Sequence, residues 1–282
     1  MQVKINDVLA GAAILIASRR ETAGLKGRAE EEKLWLYLRA LSHLVHVTGQ
    51  VYRFEDALEG MEPTGQPHVS ARLSAHKATL AQPAMELLIA TLNESPEPEQ
   101  QYVLVLIALL NFVAETGQLD DVEDFFNNQL DHAPVAIAHF TSHEEAKAWM
   151  NGVAEPPSPA RILVGDEYFQ FWYTREDNAR GMYRDYAIEP AMEALAARGI
   201  PSQRPSFATR AEAEDWLMRH PARPYLFVAI AGENYFAVHH PRLKRHSLHH
   251  VASALKAWEE RKLAVEREAA LEEAALSDES SE

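Results

Sequence analysis

A chain of 282 residues with 47% hydrophobic side chains is long enough to bury two domain cores. The absence of cysteine excludes a disulfide framework, a thiolate zinc site and a cysteine nucleophile, and it fits a reducing compartment, the cytoplasm. With 42 acidic against 27 basic residues the formal net charge is −15, which disfavours nucleic acid and anionic membranes as partners and favours a basic protein or a cation.

The first apolar stretch, VLAGAAILIA at 8–17, is followed rather than preceded by its arginines, Arg19 and Arg20, the reverse of a secretory signal. Residues 34–58, LWLYLRALSHLVHVTGQVYRFEDAL, align without gaps on 102–126, YVLVLIALLNFVAETGQLDDVEDFF, with 10 identities in 25 positions, a repeat at 68 residues. Leu34, Leu38, Leu41 and Val45 recur at helical spacing, as do Leu106, Leu109 and Val113. Each run then meets a glycine, Gly49 or Gly117, suited to a left-handed helix end, and a second helix follows. ILIAS at 14–18 resembles LLIAT at 87–91, so each unit is expected to hold three helices. The run from Tyr102 to Val113 is interrupted by Asn111 and too short to span a bilayer, so it predicts a buried helix.

The second helices carry Glu55–Asp56 and Glu123–Asp124 at equivalent places. Adjacent helix positions do not face each other, so neither pair makes an acid–base or metal site by itself. They read as a solvated acidic face or, functionally, as the surface that binds a protein partner. Loops rich in proline, glycine and acid are expected at 59–70 and 94–100. Beyond residue 131 short β-prone runs begin, RILV and YFQFWY among them. The expected organisation is therefore α+β: a duplicated helical domain at 1–131, a tandem strand–helix–hairpin domain at 132–256, and a charged, helical or disordered tail at 257–282.

A second repeat, at 67 residues, relates FTSHEEAKAWM at 140–150 to FATRAEAEDWL at 207–217. Ser142 with Glu145, and Thr209 with Glu212, have capping-box spacing, and Trp149 and Trp216 should pack on the sheet. VGDEY and AGENY predict type II′ hairpins with glycine first. A helix over 189–198, with Pro190 in its first turn and Gly199 past its end, should join the copies.

His246, His249 and His250 would share one helix face if their segment were helical, and could then hold zinc, nickel or copper. They remain weak metal candidates, because no carboxylate is near in sequence and the other copy lacks the histidines. His43 and His46 become Asn111 and Ala114 in their copy, which weakens a metal reading there too. Arg242, Lys244 and Arg245 form a basic cluster too small for nucleic acid in so acidic a chain. No Walker A loop, dinucleotide fingerprint, HExxH or GxSxG motif is present.

The pattern F-x-T-x-x-E-A-x-x-W-L followed by G-E-x-Y-F, here FATRAEAEDWL and GENYF with FTSHEEAKAWM and GDEYF as the looser copy, resembles segments of uncharacterised soluble proteins of myxobacterial type. The resemblance covers the C-terminal half and carries no catalytic residue across. It implies a partner of a toxin or secreted protease. The expected function is thus a cofactor-free, non-enzymatic cytoplasmic protein of immunity or inhibitor type, binding a basic protein through Glu55, Asp56, Glu123 and Asp124. Its rival is a small-molecule or metal-sensing regulator with a site between the α+β copies near Tyr168, Tyr173, Tyr235 and His240.

Overall fold

Helical periodicity in the first part of the chain and strand-prone runs in the second give, in the computed structural model, a mixed α+β architecture. It describes residues 5–60, 68–76, 80–128 and 133–279. The expected loop at 59–70 falls largely on 61–67, and the expected boundary at 131 on 129–132, both outside the described residues.

The helices are α1 (Ile5–Leu25), α2 (Ala29–Val47), α3 (Val51–Glu59), the short α4 (Ala71–Ala75), α5 (Ala81–Glu94), α6 (Glu97–Glu115) and α7 (Leu119–Asn128). Then come β1 (Ala136–Phe140), α8 (His143–Gly152), β2 (Ala160–Val164), β3 (Glu167–Thr174), β4 (Ala179–Arg184) and α9 (Glu189–Ala197). The chain finishes with β5 (Ser206–Phe207), α10 (Arg210–Arg219), β6 (Tyr225–Ile230), β7 (Glu233–His240), β8 (Arg245–His250) and α11 (Val251–Glu279). Contacts divide it into two units. One is Met1–Leu130 with Met150–Ala160 and Phe171–Gly181; the other is Asp131–Trp149 with Arg161–Gln170 and Met182–Glu282. A single cut near 131 therefore does not describe the division, because two later segments cluster with the helices.

In the first unit, α2 and α6 are both 19 residues long and supply the largest share of one core, including Leu38, Leu41, Val45, Leu106, Leu109 and Val113. Asn111 is buried in that core because His68 and Ser70 satisfy it: its amide donates to His68 O at 2.7 Å and its oxygen accepts from Ser70 N at 2.9 Å. Among the described residues no single helix is long and apolar enough to cross a membrane. The glycines ending α2 and α6 are left-handed, with φ of +69° at Gly49 and +72° at Gly117. The following glutamines close equivalent turns, Gln50 N donating to Val45 O at 3.0 Å and Gln118 N to Val113 O at 2.9 Å. Residues 157–160 lie on the first of these turns: Ser158 N donates to Gly49 O at 3.0 Å, and Thr48 and Gln50 make isolated β-bridges to Ala160 and Ser158.

In the second unit and its continuation, two four-stranded sheets have the orders β1-β2-β3-β4 and β5-β6-β7-β8. Each opens with a parallel pair, Phe140 opposite Val164 and Phe207 opposite Ile230. Each copy thus has one strand more than expected, β4 or β8, and then a helix. ARGMYR and RHSLHH hid those strands because arginine, glycine and histidine mask the apolar alternation. The charged tail expected from 257 is helical as far as Glu279, continuing α11, whose first turn buries Val251 and Ala254 beside Ile188 and Met192.

Both capping arrangements form. Glu145 N donates to Ser142 Oγ at 3.2 Å while the Glu145 carboxylate accepts from Thr141 N at 2.7 Å; Thr209 and Glu212 make the full reciprocal box. Trp149 and Trp216 are only half-buried, set against Phe140 and Phe207 at ring-centroid distances of 5.3 and 5.6 Å. The turns differ from expectation in one copy. Gly165, with φ +61°, stands first in its turn, whereas Ala231 (φ +51°) and Gly232 (φ +86°) are both left-handed between the paired Ile230 and Glu233, a type I′ hairpin.

Alanine at Gly49 or Gly117 meets the same left-handed backbone, but a Cβ at Gly49 would lie 2.6 Å from Pro157 while one at Gly117 would meet nothing within 4 Å. Both substitutions should carry the strain of a left-handed alanine, about 1–2 kcal/mol. Gly49→Ala should destabilise by a further ~1–3 kcal/mol through overpacking. Urea denaturation of the two variants checks this; equal midpoints would mean that residues 157–160 do not dock on the Gly49 turn.

Candidate functional site

Helix α3 buries Val51 and Phe54 and thereby turns Tyr52, Glu55 and Asp56 away from the core. Arg175 lies across them. Its Nη1 donates to Glu55 Oε2 at 3.2 Å and Asp56 Oδ1 at 2.8 Å, and its Nη2 to Asp56 Oδ2 at 3.1 Å and Glu155 Oε2 at 2.8 Å. The bidentate grip on Asp56 is the strong, orienting geometry for a guanidinium. The Arg175 guanidinium also stacks 4.7 Å above the Tyr52 ring, which meets Tyr173 edge-on at 5.7 Å. Asp56 and Glu155 raise the Arg175 pKa, and burial holds the Glu55 carboxyl above its usual value although Arg175 opposes this. Glu55 and Asp56 are therefore engaged within the unit, not presented as an open pair.

The equivalent pair on α7 is placed differently. Glu123 Oε1 accepts from Leu80 N at 3.0 Å, satisfying a backbone donor at the start of α5, and Asp124 accepts from Asn128 Nδ2 at 2.8 Å on the exposed side. The turn leading into α7 is also open: Thr48, Gly49 and Gln50 are buried, whereas Gly117 is exposed and Thr116 and Gln118 are half-buried.

In the second unit, β8 is a strand, so its histidines alternate between faces rather than sharing one. His246 stacks on His239 at 4.6 Å, and His250 meets Glu233 at 2.5 Å; His249 points the other way. Among the described residues no cluster of three or more histidine, aspartate or glutamate side chains is arranged to hold a metal ion. His249 and His240 instead flank Ser247, each with Nε2 at 2.8 Å from its Oγ. His240 Nδ1 lies 3.4 Å from Tyr168 Oη, and that hydroxyl is 3.0 Å from Pro134 O.

The carbonyl can only accept, which sets the direction of the whole chain when both rings are neutral. Tyr168 donates to Pro134 O and accepts from His240 Nδ1; His240 Nε2 accepts from Ser247, and Ser247 accepts from His249 Nε2. A serine between imidazoles has the residue types of nucleophile and base, but Ser247 is 0% exposed and its proton is committed. The four aromatic residues singled out in the sequence do not act together. Tyr168 and His240 bond to each other, Tyr235 lies on the opposite face of β7 against His250 at 5.3 Å, and Tyr173 belongs with Tyr52 in the first unit.

One open concavity in the first unit, of about 750 Å³, runs between α1 and α2 over a floor that includes Leu9, Ile16, Val45 and Leu109. Arg20, Arg39, His43 and His46 stand along it. Sequence reading missed it, as it missed Arg175. The available signal was Ala10, Ala13 and Ala17 at helical spacing, small enough to leave a trough beside a longer neighbour.

No family model, curated protein or solved structure matches the chain.

The buried imidazoles make the fold acid-sensitive. Burial pushes the His240 and His249 pKa values down to about 3 and that of His246 down to about 4. The unfolded chain takes up these protons near pH 6.5 and the folded chain does not. Their stabilising contribution is thus complete above about pH 6.5 and is lost as pH falls towards 4. Each imidazole removes about 1.4 kcal/mol per pH unit, so the three together should remove on the order of 6 kcal/mol by pH 5. Urea denaturation between pH 7.5 and 4.5 should show a slope approaching three protons; a slope below one would mean that the rings are protonated in the folded protein.

Proposed function

We infer that this is a non-enzymatic binding protein of immunity or inhibitor type, acting in the cytoplasm. We further infer that its partner brings an arginine-bearing extended segment to the turn before α7. The observation that supports this reading is the occupied first copy. There the Gly49 turn receives residues 157–160 through backbone bonds, and the acidic pair one helical turn on receives Arg175. Sixty-eight residues later the same turn recurs with the same backbone, exposed, ahead of Glu123 and Asp124. An extended backbone needs only a carbonyl, a glycine that lets it approach, and an acidic group within an arginine's reach. All three are there, and Asp124 lies at the surface.

The partner's required chemistry is basic, which agrees with a chain of net charge −15 and with a basic toxin or protease as the class of target. The rival small-molecule reading at Tyr168, Tyr173, Tyr235 and His240 lacks comparable support, because the polar atoms of Tyr168 and His240 are committed to buried hydrogen bonds.

Asp124→Lys and Gly117→Asn separate the elements of this surface. Asparagine tolerates the left-handed conformation and has room at Gly117, yet its side chain should fill the space an incoming backbone needs. Each variant should weaken capture of the partner at least ~10-fold, about 1.4 kcal/mol, with thermal stability nearly unchanged. Asp56→Lys should instead release Arg175 and expose residues 150–160 and 171–181 to protease. Affinity capture from host extract at low and high salt, with mass spectrometry of the bound protein, is the measurement. Equal recovery of one partner by wild type, Asp124→Lys and Gly117→Asn would overturn the assignment to α7.

A further inference from the structure

Helix α1 is apolar nearly all round, and only part of that surface is covered. Ala12, Leu15, Ile16 and Ala23 are buried, while Ala10, Ala13, Ile14 and Ala17 are exposed, Ile14 at 72%. A helix with apolar residues on its solvent side lacks a partner there. Its inner side is held close to α6 at Gly11, where a Cβ would stand 2.1 Å from the Tyr102 ring, so Gly11 fixes how deeply α1 seats. The short connection around Gly27, with φ +67°, folds α2 back alongside α1. On the trough side α1 presents methyl groups at Ala10, Ala13 and Ala17, which leaves the volume of about 750 Å³ unfilled. That lies within the range of small-molecule sites.

The charge at the trough runs against the composition. The chain carries 15 more acids than bases, yet the charged side chains lining this cavity are arginines, Arg20 and Arg39. Arg19, one position earlier, is paired with Glu99 at 2.7 Å. Neither Arg20 nor Arg39 has an ion pair among the described residues. Ser42 and His43, one turn beyond Arg39 on α2, add hydrogen-bonding groups to the same rim. The cations stand on the rim and the hydrocarbon on the floor, which is the division of an amphiphile with a single anionic end.

We propose that the trough between α1 and α2 binds a free long-chain carboxylate, its headgroup held by Arg20 and Arg39 and its acyl chain laid along Leu9, Ala10, Ala13 and Ala17 over the buried Ile16, Val45 and Leu109. From Asn6 to Arg20 the lining face of α1 extends about 21 Å at 1.5 Å per residue, room for an extended chain. A planar carboxylate matches a guanidinium fork, whereas a quaternary ammonium headgroup is repelled by it. The proposal does not rest on the partner reading at α7, although His43 on the rim packs against Phe125 of α7 at a ring-centroid distance of 5.7 Å.

Calorimetric titration of the full chain with hexanoate, octanoate, decanoate and dodecanoate tests the assignment. Affinity should rise about fourfold per added methylene, or roughly tenfold or more for each two-carbon step, until the trough is full. Acetate should not bind measurably, and decyltrimethylammonium should bind at least ~10-fold more weakly than decanoate. Arg20→Ala combined with Arg39→Ala should weaken decanoate binding at least ~10-fold. Ala13→Phe, at an exposed position where the ring can occupy the trough, should abolish binding while leaving the melting temperature unchanged. Four results overturn the proposal: no binding of any chain length, no dependence on chain length, equal binding of decyltrimethylammonium, or decanoate binding that survives Ala13→Phe in a folded protein. Binding of an acidic amphipathic peptide in place of decanoate would make the trough a protein-docking groove and overturn it equally.

Discussion

Two side-chain amides hold the centre of the helical unit. Gln50 Nε2 donates to Gln118 Oε1 and Gln118 Nε2 to Gln50 Oε1, both at 2.8 Å. The second N–H of each amide goes to the threonine two residues earlier, Thr48 or Thr116, at 2.7 Å. Those hydroxyls in turn donate to Leu44 O at 2.6 Å and Phe112 O at 2.8 Å. Every donor in the set has an acceptor, and each bond has its counterpart 68 residues away. A contact in which each member meets the other in the same way is isologous, so the two helix–turn–helix segments meet about a local twofold axis at this point. Truncating one glutamine would leave the other with a buried donor and acceptor unmade, which costs about 1–3 kcal/mol per group. The T-G-Q triplet is thus fixed by what it does across the axis, and the starts of α3 and α7 follow from it.

Symmetry at the axis makes the asymmetry around it informative. With equal backbone at Gly49 and Gly117, the difference in their burial comes from what reaches them, and residues 157–160 reach only the first. The same holds for the acidic pairs, one wrapped around Arg175 and the other capping α5 and facing solvent. Had the two copies differed in their turns, the open one would carry no information about a ligand. Because they agree, the occupied copy is a template for the chemistry of the open one.

Much of the fold was legible because it depends on local rules. The 68-residue repeat, the glycine helix ends, the buried Asn111 helix and the capping residues Glu145 and Glu212 each follow from a few neighbouring positions. The fourth strands were not legible: RHSLHH scores as polar, and His246, His249 and His250 are separated by i, i+3, i+4, which suits a helix. Their burial is rescued by partners that helical spacing does not point to: Ala222 N, 24 residues away, for His246 Nε2, and the Ser247 hydroxyl, on the same strand face, for His249. The site was less legible still. Nothing near Glu55 announces Arg175, 120 residues away. The trough arises from what Ala10, Ala13 and Ala17 fail to fill, and hydrophobicity patterns record presence rather than missing volume.

Net charge was the most misleading of the composition figures, and the reason is range. Acids are consumed locally: Asp166 holds Arg210 and Arg245, Glu193 holds Lys262 and the Trp258 indole, and Glu145 and Glu212 close helix ends. At a few ångströms such pairs largely cancel, while the residual charge acts at long range and is screened beyond about 8–10 Å at ordinary ionic strength. A basic protein approaching α7 meets the long-range field and the local one with the same sign, so salt weakens both its arrival and its hold. An acyl carboxylate approaching α1 meets opposite signs, repelled at a distance by the chain and attracted at contact by Arg20 and Arg39. Salt lowers the repulsion along with the attraction, and the buried methylenes are indifferent to it. On the two proposals, the same acidic chain is strongly salt-dependent towards one ligand and nearly salt-independent towards the other, because the two proposed sites draw on different distances of the same charge distribution.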